Sequence, residues 1–288
     1  MAFTSMDDLI SEISNGKSIR YDWNKITGAS TYTAGRWYDF SPLNGTPIAN
    51  TWSGTALNWQ TRSEANGFSI PHGGDVSTDT KHLLNASAIT GVATGVPGQL
   101  MLVDMQGYYP GISLNSATAQ TLVGTPTLRY TNGVGVRAFL VTTTASGATA
   151  HNIAMSYTNQ SATAGRSLPV TVACTASAIV GHLTHSGTAA NNCGPFLPLA
   201  SGDTGIQSVQ SVTISAASGA GVGALVLARP LMTLPLTAVS IATERDFLNQ
   251  LPSLPRIYDG ACLTWLYFAG AATAAATNFY GHVEMGWS

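Results

Sequence analysis

The stretch whose reading decides the fold is residues 135–160, GVRAFLVTTTASGATAHNIAMSYTNQ. Two runs of β-forming residues, 136–144 and 152–158, flank Ala145-Ser146-Gly147-Ala148, the pattern of two antiparallel strands joined by a loop. In the second run Ile153, Met155 and Tyr157 alternate with Ala154, Ser156 and Thr158, so one face is large and apolar and the other small or polar. The spacing predicts a central hairpin in which 137–143 pairs with 152–158 and Ile153, Met155 and Tyr157 are buried. A lone hairpin is marginal in water, so its apolar face requires further strands.

The rest of the chain supplies them. Residues 99–105, 169–174, 206–215, 223–228, 263–268 and 279–287 are rich in Val, Leu, Thr and aromatic residues and are separated by Gly, Ser, Ala and Asn clusters. Strands without intervening amphipathic helices predict a mainly β chain folded as an antiparallel, jelly-roll-like sandwich rather than a parallel α/β sheet. One short crossover helix is expected at 244–251, ERDFLNQL, between Thr243 as cap and Pro252.

At the N-terminus residues 1–15 read as a short amphipathic helix. Ser5 can cap it, Asp7 and Asp8 sit in the first turn where the macrodipole favours negative charge, and Asn15-Gly16 stops it. Met6, Leu9, Ile10 and Ile13 fall on one face and need a partner, either the chain's own body or another subunit. Residues 17–96 are aromatic and irregular, with 36–40 as the firmest strand and 81–88 as a brief helix. The rings there form a mini-core holding long loops, although Trp52 and Trp59 also suit stacking on sugars. The expected organisation is a helical arm over 1–16, a loop-rich aromatic region over 17–96 and a β-sandwich over 97–288.

Charged residues make up only 9% of the 288-residue chain, against roughly 25% in ordinary soluble domains. Between Ala138 and Ala228 the only charged side chains are Arg166 and Asp203, so this stretch lacks the charged skin that keeps monomers apart and is expected to face neighbours. A net charge of −2 with scattered Lys and Arg leaves no basic stripe for nucleic acid. The most apolar windows are too short or too broken to span a membrane. The first residues lack the basic start and apolar core of a signal peptide, which predicts a cytoplasmic site of synthesis and assembly. Three cysteines at unpatterned spacing predict buried thiols rather than a disulfide framework.

No motif announces catalysis. Cys174, His182, His185 and Cys193 have metal-ligand chemistry, but their spacing matches neither a zinc knuckle nor a helical two-histidine site. His72, Asp75 and Asp79 have the dress of an exposed turn, with oxygen-ligand chemistry as the rival reading. The glycine run at 219–223 reads as a turn, because the residues after it continue as a strand rather than the helix a phosphate loop requires. The G-x-S-x-G elbow of α/β hydrolases does not occur. No catalytic, cofactor or metal residue is assigned.

Four segments, GVRAFLVTTTASGATAHNIAMSYTNQ, LVLARPLMTLPLT, ERDFLNQLPSLPRIYDGACLTWLYF and FYGHVEMGW, give residues 135–288 a resemblance to structural proteins of tailed bacteriophages. That group is neutral and β-rich. The resemblance implies a non-enzymatic, capsid-associated role, that of a decoration or cement protein bound to the head shell, with other virion proteins as partners. Composition adds a homo-oligomer, a trimer among the options. Two rivals follow the same composition: a major capsid protein forming the shell, and a tail module binding glycans through Trp52 and Trp59. A zinc hydrolase at the Cys174–Cys193 loop is the enzymatic rival.

Overall fold

The computed structural model describes residues 3–249 and 254–288. It is the expected mainly β sandwich architecture, built from three antiparallel sheets and one short helix near the N-terminus, α1 (Met6–Ser14). The first sheet runs in the order β14 (Thr243–Asp246), β5 (Lys81–Thr90), β17 (Asn278–Trp287), β1 (Ser18–Ile26) and β3 (Asn44–Thr46), with β15 (Arg256–Ile257) also on β5. The second runs β10 (Arg166–Ser167), β9 (His151–Asn159), β12 (Ile206–Ile214) and β7 (Gln120–Thr121), with β11 (Val172–Cys174) also on β9. The third runs β2 (Arg36–Asp39), β16 (Leu263–Ala269), β6 (Gly98–Ser113), β13 (Val222–Leu236) and β8 (Arg137–Thr144), with β4 (Gln60–Thr61) also on β6.

The third sheet organises the other two. Along β13, Leu225 and Leu227 enter a core shared with the second sheet, while Ala224, Val226 and Ala228 enter a core on the opposite face. Met232, Leu234 and Leu236 then enter a core shared with the first sheet. Alternation alone would have kept even-numbered residues on one face. The register shift between Pro230 and Met232 inserts an extra residue, so parity changes and the far end of β13 turns its even positions toward the first sheet.

The predicted hairpin does not form. β8 pairs with β13, and β9 pairs with β10, β11 and β12, so the two strands lie in different sheets. They meet across a core to which β8 contributes Ala138 and Leu140 and β9 contributes Ile153, Met155 and Tyr157. Alternation therefore named the buried residues, but not the partner strand. The link between the strands makes its backbone bonds elsewhere: Ser146 N–H to Ala178 O at 3.0 Å, Gly147 N–H to Ala220 O at 3.2 Å and Thr149 N–H to Ser218 O at 3.2 Å. Those bonds carry the chain across from one sheet to the other instead of closing a tight turn.

Both short internal helices are also corrected. Residues 81–88 lie in β5, a central strand hydrogen-bonded to β17 on one side and to β14 and β15 on the other. Leu83, Ala86 and Ala88 are buried there, and ladder bonds on both edges outweigh the helical preference of Leu and Ala, which is high in rank but small in magnitude. In the segment predicted as a helix over 244–251, Thr243–Asp246 is a strand on β5, and Asp246 Oδ1 accepts the Leu248 N–H at 2.9 Å in a local turn. Residues 250 and 251 lie outside the described residues.

Residues 17–96 supply β1, β3 and β5 to the first sheet and β2 and β4 to the third. Their rings are packed as predicted for a core. Trp23 lies 5.1 Å from Trp265, Tyr32 stacks on Tyr38 at 3.8 Å, and Phe40 touches both Tyr267 and Phe279.

Candidate interaction surface

The outer face of the second sheet is built by simple alternation. On β9, His151, Ile153, Met155, Tyr157 and Asn159 are buried, which turns Asn152, Ala154, Ser156 and Thr158 outward. β12 adds Gln207, Ser208, Gln210, Ser211 and Thr213, all half-buried. A groove of about 360 Å³ crosses this face, lined by Ser156, Ser167, Thr171, Ser211 and Thr213. Val170, 52% exposed, stands in its wall.

The two charges of this lobe cancel each other. Arg166 Nε donates to Asp203 Oδ2 at 2.9 Å, the Tyr157 hydroxyl donates to the same oxygen at 2.6 Å and Asn159 Nδ2 donates to Oδ1 at 2.7 Å. The bonds from Arg166 and then Tyr157 hold the Asp203 carboxyl down to about 2. Both charges in the segment are thus consumed at one end of the sheet, and its outer face is hydroxyl, amide and methyl. The sequence singled out both residues as the segment's only charges but did not show that they pair.

Helix α1 begins as expected, with Ser5 Oγ accepting the Asp8 N–H at 3.0 Å and Gly16 following at φ +82°. It packs beside β17 of its own body. Leu9 is 3% exposed and Ile13 half-buried, while Met6 and Ile10, one turn apart on the adjoining stripe, are 54% and 56% exposed. The four apolar residues predicted as one docking face are therefore divided between an inward pair and an outward pair. Lys17, just past the helix, binds Glu12 at 3.0 Å and Asp79 at 2.9 Å.

The two tryptophans predicted as sugar platforms lie over different cores. Trp52 meets Tyr108 edge-on at 4.8 Å, and Trp59 meets Tyr109 edge-on at 5.1 Å while its Nε1 donates to Thr61 Oγ1 at 3.0 Å. Both are half-buried, so each ring has one protein-facing side already engaged.

The remaining polar clusters are tied into the fold. His185 Nδ1 lies 3.1 Å from Cys193 O, His182 Nε2 lies 3.2 Å from Ser186 O, and Thr184 Oγ1 donates to Cys174 Sγ at 3.7 Å. Burial drives His182 down to about 3, helped by Arg36, and drives His185 down to about 4. It pushes the Cys174 and Cys193 thiols up to about 12. These are neutral imidazoles and thiols bonded to the backbone and to each other. His72 bridges Glu64 and Lys81 at 3.1 Å each, while Asp75 accepts the Gly260 N–H at 2.7 Å and Asp79 is held by Lys17. Among the described residues no three His, Cys, Asp or Glu side chains gather in a metal-binding arrangement. The run at 219–223 is a turn, with Gly219 at φ +94° and Gly221 at φ +107°, leading into β13. No helix among the described residues is long and apolar enough to cross a membrane.

No protein-family model matches the chain, and no curated relative matches it. Among solved structures, the crystal structure of the infectious bursal disease virus VP2 subviral particle aligns over 93% of this chain and 80% of that chain, at 10% identity and a TM-score of 0.21. The structure of the infectious bursal disease virus Gx strain aligns over 94% and 81%, at 11% identity and a TM-score of 0.19. Scores this low carry no argument about what this chain does.

Proposed function

We propose that this chain is a non-enzymatic virion structural protein that works by contact with other proteins, and specifically a decoration or cement protein on the head shell of a tailed bacteriophage. The observation that carries this reading is the outer face of the second sheet, whose segment spends its two charges on each other. Interface cores are depleted in Lys, Glu and Asp, because an ion must shed its water on contact whereas hydroxyls and amides can exchange one hydrogen bond for another; Ser and Ala are depleted there as well, so it is the neutrality of this face and not its residue types that supports the reading. A face of this kind costs little to desolvate and favours packing against a neighbour. The outward pair Met6 and Ile10 on α1 adds a second, apolar contact. The protein is read as a homo-oligomer, with a trimer as the closed form, assembled in the host cytoplasm and resident in the virion.

The test is quantitative mass spectrometry of washed, purified particles, followed by selective stripping. The expected result is a fixed copy number relative to the shell protein and an intact shell after removal. Absence from washed particles overturns the virion assignment. Shells that disassemble with loss of this chain as their main component would identify it as the shell protein instead.

A further inference from the structure

Arg229, on β13, and Arg256, on β15, converge on one pocket of about 160 Å³ between the third and first sheets. Each guanidinium lies over a tyrosine ring: the Arg229 Cζ is 4.5 Å from the Tyr130 ring centre and the Arg256 Cζ is 4.2 Å from the Tyr258 ring centre. The two tyrosines meet edge-on at 4.8 Å, so the four side chains form one ladder, Arg229–Tyr130–Tyr258–Arg256. Pro230 and Pro255 wall the pocket.

The chain makes room for this arrangement. Arg229 Nη1 donates to Val134 O at 2.6 Å, and Gly135, at φ +75°, lies so close that a Cβ there would sit 2.7 Å from the same nitrogen. Neither guanidinium has a carboxylate partner among the described residues, and the sequence at 250–253, Gln-Leu-Pro-Ser, contains none. The nearby Asp104 is already taken by both branches of Arg129. In a chain with a net charge of −2 and few cations, two braced and unneutralised guanidiniums at one small pocket mark a local positive site.

We propose that this pocket binds a small oxyanion, a carboxylate or a phosphate group. The guanidinium fork matches both geometrically, and stacking on tyrosine holds the donors in place before the ligand arrives. The volume is below the roughly 300–1,000 Å³ of pockets that enclose a whole ligand, so it suits one anionic group on a short stem rather than an extended molecule.

The experiment is an NMR titration of the full chain at constant ionic strength with inorganic phosphate, with glutarate and with chloride. The Tyr130 and Tyr258 ring signals are followed in wild type, Arg229→Gln and Arg256→Gln. Saturable shifts with phosphate or glutarate and weaker ones with chloride are expected, with affinity falling about tenfold in each variant. Phosphate alone saturating would name a phosphate source, and glutarate alone a carboxylate source. Equal, unsaturated shifts with all three salts overturn the proposal, as does unchanged affinity in both variants. Because Arg229 also braces residues 133–135, Arg256→Gln, at an exposed side chain, keeps the test decisive if Arg229→Gln fails to fold.

Discussion

The guanidinium of Arg129 closes on the carboxylate of Asp104 with two branches, Nε to Oδ2 at 3.1 Å and Nη2 to Oδ1 at 2.5 Å. Asp104 stands on β6, with its side chain 1% exposed, and also accepts the Cys262 N–H at 2.9 Å. Arg129 donates further to Arg62 O at 2.8 Å and Met105 O at 2.6 Å, so one ion pair ties three chain segments to the longest strand. Removing one partner leaves the other charge buried. Asp104→Ala is expected to lower unfolding free energy by about 3–5 kcal/mol in urea titrations, and Asp104→Asn by less because it still accepts hydrogen bonds.

The two faces of β9 should respond oppositely to the same substitution. Met155 is buried in the core between the second and third sheets, so Met155→Asp places an unpaired carboxylate there and is expected to cost more than about 4 kcal/mol. Ala154 points outward, so Ala154→Asp should leave the melting temperature nearly unchanged. It should nevertheless reduce oligomer size by light scattering and incorporation into particles, because it charges the neutral face. Normal assembly of Ala154→Asp would remove that face from the proposed interface.

The same logic divides helix α1. Leu9→Ala should destabilise the monomer by about 2 kcal/mol or more, since Leu9 is buried on its own body. Met6→Ser with Ile10→Ser should leave stability within about 0.5 kcal/mol and weaken assembly, since both side chains are exposed. Deletion of residues 1–15 should combine the two effects, with circular dichroism of the β body retained.

Acid should destabilise the fold. His182 and His185 remain neutral in the folded chain down to about 3 and about 4, whereas the unfolded chain takes up their protons as pH falls through 6.5. Their contribution is full above pH 6.5 and is lost on acidification from there toward about pH 4 for His185 and about pH 3 for His182. At about 1.36 kcal/mol per pKa unit, the pair shifts stability by several kcal/mol. Asp39 opposes this. Burial pushes it up to about 6, so between pH 3.8 and 6 the folded chain holds a proton that the unfolded chain has released, and acidification through that window stabilises the fold. Burial also lowers His72, His82, His151 and His282, so all six histidines act against Asp39 and leave a net loss, measurable as a lower unfolding free energy at about pH 4.5 than at about pH 7. His185→Gln should flatten the dependence.

What the sequence determined by itself was which side of β9 is buried, because along an unbroken strand side-chain direction follows from parity and needs no partner, whereas the register shift in β13 breaks that parity. Ile153, Met155 and Tyr157 are inside, the aromatic residues of 17–96 form cores, Ser5 and Gly16 bound the first helix, and the run at 219–223 turns into a strand. Only the tertiary structure decided which strands pair. β8 and β9 are adjacent in sequence and rich in β-forming residues, yet they lie in separate sheets because the bonds made by Ser146, Gly147 and Thr149 reach to Ala178, Ala220 and Ser218, distant in sequence. Residues 81–88 became a strand for the same kind of reason, since both their edges are taken by β17, β14 and β15. The convergence of Arg229 and Arg256 was equally invisible, being set by where β13 and β15 end up. Burial follows a strand's own pattern where no bulge interrupts it, as in β9, whereas pairing, bulges and convergence are contests among distant segments that local spacing does not resolve.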